Sequence, residues 1–426
     1  MNSYYEESSS EEFTPAQPFN ANAVMDWAVI LVTALLLSLG LISIYSATYD
    51  AGMSEYFTKQ AIFGFIGIFV LVGIMLLPEK WLYRLSYLFY LTAILLLIAV
   101  IVIGKTVYGS KSWLSLGPIT FQPSELGKFA TLLAVAKYMS SKGADVRNIR
   151  DLSIIFLLFA IPIALIMMEP DFGSASVYAT MMLGIFFWAG ADLFFLFLIT
   201  GAPFVAIAGF IGKDWFFGIA GLLTAISLLF KRGILMIILS ASVFVFVGFS
   251  SNYVYSILKP HQKSRIQTFL NPDNDPRGKG YHVIQSIMAV GSGGVTGKGF
   301  LQGTQTQLRY IPKQWTDFIF CVPTEEFGFV GGLSVIGLLG LLIFQCITIA
   351  RQAGNVFGSV LSAGVGLLLF YHSMVNIGMA IGLFPVMGIP LPFLSAGGSA
   401  LVMNMALVGL VLNVYRNRRR IKKTGY

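Results

Sequence analysis

The sequence is poor in charged residues, which make up 11% of its 426 residues, against roughly 25% in an average soluble domain. Such a chain has too little polar surface to cover a soluble globule, so we exclude a water-soluble protein. Hydrophobic residues account for 56% of the chain and occur in blocks of about 17–25, the length that a helix needs to cross a bilayer. The blocks do not alternate apolar and polar residues as barrel strands do, so the sequence predicts an all-α polytopic membrane protein.

Cysteine and histidine are also scarce. Cys321 and Cys346 lie in apolar surroundings and form no CxxC motif, so we interpret them as small buried side chains. The histidines at positions 261, 282 and 372 are widely separated and form no pair with the spacing of metal ligands. Nothing in this pattern indicates a structural zinc ion or a haem.

Twelve apolar blocks follow a polar, acidic segment over residues 1–26, which we interpret as a disordered tail because it contains no apolar block. An even number of spans places both termini on the same side of the membrane. The predicted spans lie near residues 27–47, 60–77, 84–103, 124–140, 152–168, 174–190, 193–212, 215–230, 233–250, 319–350, 358–384 and 396–415.

The distribution of Lys and Arg predicts the orientation. The basic C-terminal tail, residues 416–426, is expected to be cytoplasmic, and the loops on its side carry most of the basic residues of the short loops. Both termini are then cytoplasmic, and residues 27–415 form one transmembrane domain. The segments 105–123 and 169–173 and the large loop 251–316 face outward. The net charge of +8 is mostly this orientation signal and does not indicate nucleic-acid binding.

The first outward segment, residues 105–130, contains a candidate ionic site. Pro123 suits the first turn of a helix, and Glu125 in that turn meets the positive end of the helix dipole. Glu125 and Lys128 are three residues apart, so they share one helix face and can pair. An ionisable pair at membrane depth marks a site or pathway, although a structural pair that locks helix packing is an equally good interpretation. Trp113 in the same segment could be only an interfacial anchor.

Two acidic residues, Glu169 and Asp171, flank a proline where one predicted span ends and the next begins. The simplest interpretation of Asp171 is an N-cap for the helix that starts near Ser174. Further along the large loop, one short helix is predicted at the membrane surface, because apolar residues fall on one helical face. These residues are Val283, Ile284, Ile287 and Met288.

Asp317 opens an apolar run that also contains Glu325 and Glu326. A helix from about residue 317, bent at Pro323, would place Thr324 and Glu325 near the face of Asp317. Three carboxylates that enter a membrane span are too costly to be accidental, so this segment is a candidate site. The alternative for Asp317 is a purely structural ion pair with basic residues of the preceding loop.

Five stretches of the chain together resemble the SEDS family (RodA, FtsW, SpoVE) of membrane glycosyltransferases that polymerise peptidoglycan. The stretches are SWLSLGPITFQPSELGKFA, EPDFGSA, GYHVIQSIMAVGSGGVTGKGFLQGTQTQL, TDFIF followed by EEFGFVGG, and NIGMAIGLFPVMGIPLPFLSAGGSAL. They occur in the order that the family shows, over nearly the whole chain. The GSGG and GTQTQL stretches resemble the elongation branch, RodA, more than the division branch, FtsW.

The resemblance implies a SEDS-type helical bundle in the cytoplasmic (inner) membrane that polymerises lipid II, the lipid-linked disaccharide-pentapeptide, during cell elongation. A sugar hydroxyl attacks the anomeric carbon at the outer face, and undecaprenyl pyrophosphate leaves. The implied partners are a class B penicillin-binding protein, which crosslinks the peptides, and other proteins of the elongation complex. The competing interpretation is a flippase or transporter of the same precursor, but the sequence shows no repeated halves with broken helices.

The family's invariant aspartate falls on Asp317, so the resemblance implies that Asp317 is the general base or the ligand of a divalent cation such as Mg²⁺ or Mn²⁺. Further candidates for substrate binding or for shaping the cavity are Trp113, Gln122, Glu125, Lys128 and Glu325. Charge and location alone suggest Arg265, Lys298 and Arg309 as candidates for binding the pyrophosphate.

The chain also departs from the family pattern. Trp315 stands where the family usually has histidine, which puts any role of that histidine in doubt here. The family has ten spans, whereas this sequence has twelve apolar blocks. Three blocks lie in residues 193–250 where one is expected, so we predict an extra helical hairpin with Lys231 and Arg232 on the cytoplasmic side.

Overall fold

The computed structural model describes residues 25–49, 53–107, 110–116, 119–141, 144–257, 263, 267–269, 279–308, 310–311 and 314–423. Residues 1–24 of the predicted tail, and the candidate residues Arg265 and Arg309, lie outside the described residues.

Fifteen α-helices occur in the described residues, and twelve of them have at least 15 residues. They are, in chain order, α1 Trp27–Thr48, α2 Ser54–Leu76, α3 Glu79–Ile103, α4 Pro123–Met139, α5 Ile149–Met168, α6 Phe172–Trp188, α7 Leu193–Ile211, α8 Lys213–Ser227, α9 Ile234–Ile257, α10 Lys279–Ser292, α11 Thr304–Gln307, α12 Cys321–Glu326, α13 Gly328–Gln352, α14 Val356–Ala380 and α15 Gly398–Lys423.

The prediction of an all-α polytopic membrane protein is confirmed. Among the described residues, ten helices are long and apolar enough to cross a membrane, with α8 counted together with a short 3₁₀ turn that follows it. The other two predicted spans are helical but shorter, because α4 and α6 have 17 residues each. Each of the twelve predicted spans therefore corresponds to one of the twelve helices of at least 15 residues.

The helices α14 and α15 form the centre of the bundle. In the most apolar stretch of each helix, 72% of the α14 residues and 67% of the α15 residues are buried inside the protein. α4, α6 and α13 pack around α14, and α2 packs along α15. The connection between the two central helices, residues 381–397, is not helical although Ile389, Leu391 and Leu394 are fully buried. Irregular backbone at membrane depth is tolerated only where protein covers it, as it does here.

The three helices of the region that contains the predicted hairpin, α7, α8 and α9, pack mainly on one another and form a second, smaller core. Aromatic residues dominate that core, including Phe194, Phe216 and Phe244. Arg232 in the turn before α9 forms a 2.5 Å ion pair with Asp192, the N-cap of α7. The extra helical hairpin thus has its own packing unit, and its side of the membrane stays a prediction.

A small antiparallel sheet, which the sequence analysis did not predict, precedes α4. Its strands are β1 Lys105–Val107, β2 Ser110–Leu116 and β3 Ile119–Phe121, with β2 in the middle. Lys105 pairs with Trp113, and Leu114 pairs with Phe121. Because β3 ends one residue before Gln122, the sheet fixes where α4 begins.

The segment around Asp317 is not one bent helix, so that prediction is wrong. Residues 314–320 form turns, α12 covers only Cys321–Glu326, and α13 starts at Gly328. Gly328 has a φ of +67°, and a Cβ there would lie 2.4 Å from the backbone nitrogen of Gly297. The 293–299 loop approaches position 328 so closely that only glycine fits there. The positive φ of Gly328 ends α12 before the membrane span α13 begins.

Two further predicted elements are helical in the structure. The C-terminal tail predicted from residue 416 is helical as far as Lys423, because α15 continues beyond its apolar part. The predicted surface helix exists as α10, and its buried residues are Gly280, Val283, Ser286 and Ala289. Ser286 Oγ donates a 2.6 Å hydrogen bond to the carbonyl of Ala380, so α10 packs against the bundle instead of only resting on the membrane.

Candidate functional site

Glu125 and Lys128 form the ion pair that their spacing predicts. Lys128 Nζ lies 2.7 Å from Glu125 Oε1, and the side chains of Lys128 and Glu125 are only 3% and 6% exposed. Pro123 is the first residue of α4, so Glu125 occupies the first turn, where the helix dipole favours a carboxylate. Lys128 Nζ also lies 3.4 Å from Nε2 of His372 on α14.

Asp317 lies in the turn between the large loop and α12, and its backbone is tied to α14 and to the 381–397 connection. The Asn376 side chain donates a 2.9 Å hydrogen bond to the carbonyl of Asp317. Ser395 Oγ donates to the carbonyl of the preceding Thr316 at 2.7 Å. The carboxylate faces Gly388, where a Cβ would lie 3.9 Å from Asp317 Oδ2.

Asp171 and Gln122 form a second polar contact at the starts of α4 and α6. Asp171 accepts a 3.0 Å hydrogen bond from the backbone nitrogen of Ser174, which confirms its predicted role as N-cap. Its other carboxylate oxygen accepts a 3.2 Å hydrogen bond from the Gln122 side chain. Gly173 packs so closely on the carbonyl of Met387 that an added Cβ would lie 2.6 Å from it.

The short segment Met387–Pro390, which we call the GIP segment, brings these groups together. The carbonyl of Met387 lies against Gly173 of α6, a Cβ on Gly388 would lie 3.9 Å from Asp317 Oδ2, and the carbonyl of Pro390 lies 3.3 Å from His372 Nδ1. The GIP segment thus lies between Asp317, the start of α6 and His372, and His372 links it to the Glu125–Lys128 pair. This assembly joins residues of five separate chain segments.

Trp113 and Glu169 are connected to each other through Ser112, the residue before Trp113. Trp113 is a half-buried residue of β2, and its neighbour Ser112 hydrogen-bonds the Glu169 side chain. Glu169 lies between α5 and α6 and is 1% exposed. Burial raises the pKa of Glu169 to about 8, with a smaller rise from nearby Asp171 and a partial offset from the Ser112 hydrogen bond.

Glu325 and Lys298 pair with each other, so the structure gives both a structural contact. Lys298 Nζ donates to Glu325 Oε1 at 2.7 Å, and the backbone nitrogens of Gln305 and Thr306 donate to the same carboxylate at 2.8 and 2.9 Å. Burial acts to raise the pKa of Glu325, but the Lys298 ammonium and the hydrogen bonds outweigh it and lower that pKa. The pair anchors residues 298–306 to α12. The prediction that Glu325 lies near the face of Asp317 on one helix is wrong, because α12 begins only at Cys321.

Several expectations concern residues outside this assembly. Cys321 and Cys346 are free and buried, as predicted. Trp315 packs its ring against Tyr56, with centroids 5.0 Å apart, so this position is occupied by an aromatic contact instead of a histidine. Among the described residues no three His, Cys, Asp or Glu side chains are grouped as metal ligands.

His372 and Asn376 are the site residues that the sequence analysis missed. In the sequence, His372 is one of three scattered histidines, and Asn376 belongs to no motif whose spacing indicates a role. The available signal was a titratable ring and an amide inside a long apolar span, where polar side chains are costly and tend to serve a site.

Comparison with known proteins agrees with this organisation. The sequence profile of the FtsW, RodA and SpoVE family, described as cell cycle protein, matches residues 26–216 and 216–420. The peptidoglycan glycosyltransferase MrdB of Escherichia coli K12 is 35% identical over 316 residues, which cover 74% of each chain. The peptidoglycan glycosyltransferase RodA of Treponema pallidum is 32% identical over 422 residues, which cover 91% of this chain and 97% of the relative.

A solved chain from a peptidoglycan synthase complex that coordinates polymerization and crosslinking superimposes with a TM-score of 0.70 at 29% identity. The match covers 92% of this chain and 98% of that one.

Proposed function

The chain belongs to the FtsW, RodA and SpoVE family and is a peptidoglycan glycosyltransferase, and we propose that Asp317 is its general base. Its substrate in this proposal is lipid II, which it polymerises at the outer face of the cytoplasmic membrane during cell elongation. One observation supports the assignment of the site: the GIP segment lies close to Asp317 and contacts His372, whose Nε2 lies 3.4 Å from Lys128 Nζ of the buried Glu125–Lys128 pair.

The chemistry needs a base, a positive charge and an apolar environment. The Asp317 carboxylate takes the proton of the attacking sugar hydroxyl, whose oxygen forms a bond to the anomeric carbon of the donor. The bond from that carbon to the pyrophosphate oxygen breaks, and the lipid pyrophosphate carries away the electron pair. Lys128 holds positive charge next to this point, where it stabilises the developing negative charge.

Charge and location in the sequence make Arg265, Lys298 and Arg309 our further candidates for binding the pyrophosphate, and Lys298 would do so from its pair with Glu325. A divalent cation would be held by the single carboxylate of Asp317 together with oxygens of the pyrophosphate, an arrangement typical of Mg²⁺. Such an ion would supply charge stabilisation to the leaving group.

The proposed topology places both termini in the cytoplasm and residues 251–316 outside. The partner in this proposal is a class B penicillin-binding protein, which crosslinks the peptides of the new strand. The similar chain in the solved synthase complex, whose assembly coordinates polymerization with crosslinking, supports this partnership.

A reconstitution assay tests the function. Purified protein in vesicles with its penicillin-binding partner and labelled lipid II should produce glycan strands, and the exposed control variant Asp214→Asn should do the same. Movement of lipid II between leaflets without any glycan strand would contradict the proposal and favour the flippase interpretation.

A further inference from the structure

Asn376 is a fully buried residue of α14 that joins two segments of the site. Its amide nitrogen donates one hydrogen bond to the carbonyl of Asp317 at 2.9 Å and a second to the carbonyl of Ile389 at 2.8 Å. Both donor hydrogens are therefore used. The amide oxygen is buried without a hydrogen-bond partner among the described residues, so the side chain acts here only as a donor.

His372 lies one helical turn before Asn376 and contacts the adjacent carbonyl of the GIP segment. Its Nδ1 lies 3.3 Å from the carbonyl oxygen of Pro390, which follows Ile389 directly. Residues four apart on a helix lie on the same face, so α14 contacts two consecutive carbonyls from one face. His372 Nε2 lies 3.4 Å from Lys128 Nζ, so His372 connects the GIP segment to the buried ion pair.

The Asp317 carboxylate lies close to the same segment. A Cβ on Gly388, which has a φ of +71°, would lie 3.9 Å from Asp317 Oδ2. Asn376 therefore fixes the backbone of Asp317 and the backbone next to its carboxylate at the same time. A loss of the amide would release both segments, and the carboxylate would no longer be held at one distance from Lys128.

We propose that Asn376 is a positioning residue, which sets the Asp317 carboxylate relative to the Glu125–Lys128 pair through its two hydrogen bonds. The inference rests on the proposed role of Asp317 as general base. Asn376 itself takes no part in the bond changes. A misplacement of about 1 Å in a reacting group costs on the order of 10²-fold in rate, so the effect of Asn376 falls on kcat.

The experiment compares Asn376→Ala with a matched control, Asn413→Ala. Asn413 on α15 is equally buried, and its amide nitrogen donates to the carbonyls of Ile74, Met75 and Leu77 at 2.9, 3.2 and 2.6 Å. Its replacement by alanine removes donor contacts of the same kind at the end of α2, away from the GIP segment, together with a 3.0 Å hydrogen bond that its amide oxygen accepts from Asn417. Both variants are assayed for polymerisation of lipid II with the partner transpeptidase, per molecule of monodisperse protein.

Asn376→Ala should lower kcat by about 10- to 100-fold and change KM by less than about 3-fold. Asn413→Ala should lower the melting temperature to a similar extent but leave kcat within about 2-fold of the wild type. Asn376→Ser, which keeps one hydroxyl donor, should recover part of the lost kcat, and it replaces the alanine variant if that variant does not fold. Wild-type kcat in both position-376 variants, or an equal loss of kcat in Asn413→Ala, would overturn the inference.

A second comparison separates this inference from the proposed function. In protein that already carries Asp317→Asn, the Asn376→Ala change should cause no further loss of the residual rate, since residues that act as a unit are not additive. An inactive Asp317→Asn variant beside a fully active Asn376→Ala variant would reject the inference alone. A fully active Asp317→Asn variant would reject the role of Asp317 itself.

Discussion

Lys128 Nζ lies 2.7 Å from the Glu125 carboxylate, and both side chains are more than nine-tenths buried between α4 and α14. Removal of one member of such a pair leaves an uncompensated charge in a low-dielectric site, which costs about 3–5 kcal/mol. The short contact of Lys128 with His372 makes the pair part of the proposed site as well as part of the packing.

We therefore expect Glu125→Gln and Lys128→Met each to lower the melting temperature strongly and to abolish polymerisation. The exchange of the two residues, Glu125→Lys with Lys128→Glu, should restore the melting temperature in part, because the pair is neutral again. It should not restore activity, since the ammonium group would no longer lie beside His372. Full activity of the exchanged variant in the lipid II assay would show that the pair serves packing alone.

The buried Glu169 predicts a pH dependence of stability. Its pKa is raised from 4.5 to about 8 by burial, so the folded protein binds this proton more tightly than the unfolded chain does. The stabilising contribution is complete below pH 4.5 and is lost as the pH rises through about 8. The melting temperature of the wild type should fall over that window, and Glu169→Gln should show a smaller fall. An unchanged pH profile in Glu169→Gln would contradict the assignment.

We predict that the turn before α9, which belongs to the extra hairpin, lies on the cytoplasmic side. A cysteine introduced by Gly233→Cys should resist a membrane-impermeant thiol reagent applied to intact cells. Ser54→Cys, which follows the first outward turn in the predicted topology, is the matched control and should react. Cys321 and Cys346 are buried and give a low background. Ready labelling at position 233 together with protection at position 54 would contradict the predicted topology and indicate the opposite orientation.

Local rules predicted the parts of the site that depend on neighbours in the sequence. The proline at the first turn of α4, the Asp171 cap and the Glu125–Lys128 pair all depend on residues within a few positions of each other, and the structure contains all three. Their spacing on a helix fixes their geometry before any tertiary contact forms.

The long-range part of the site could not be predicted in this way. Asn376 contacts Asp317 across 59 residues, and the position of the GIP segment depends on its carbonyls finding donors on α14. The break before Gly328 depends on the backbone of the 293–299 loop, which no local propensity contains. For the same reason the continuous helix from Asp317 to Glu325 was a wrong prediction, and Glu325 contacts residues 298–306 instead.

The most direct test of the central claim is the rate of glycan polymerisation by Asp317→Asn, measured with lipid II and the penicillin-binding partner. The substitution keeps the shape of the side chain and the backbone carbonyl that accepts from Asn376, but it removes the base. We expect the rate to fall by about 10²–10⁴-fold, the usual loss for a positioned general base, while the protein stays monodisperse and binds its partner. A variant that polymerises lipid II at a near wild-type rate would contradict both the base and the cation-ligand assignments of Asp317.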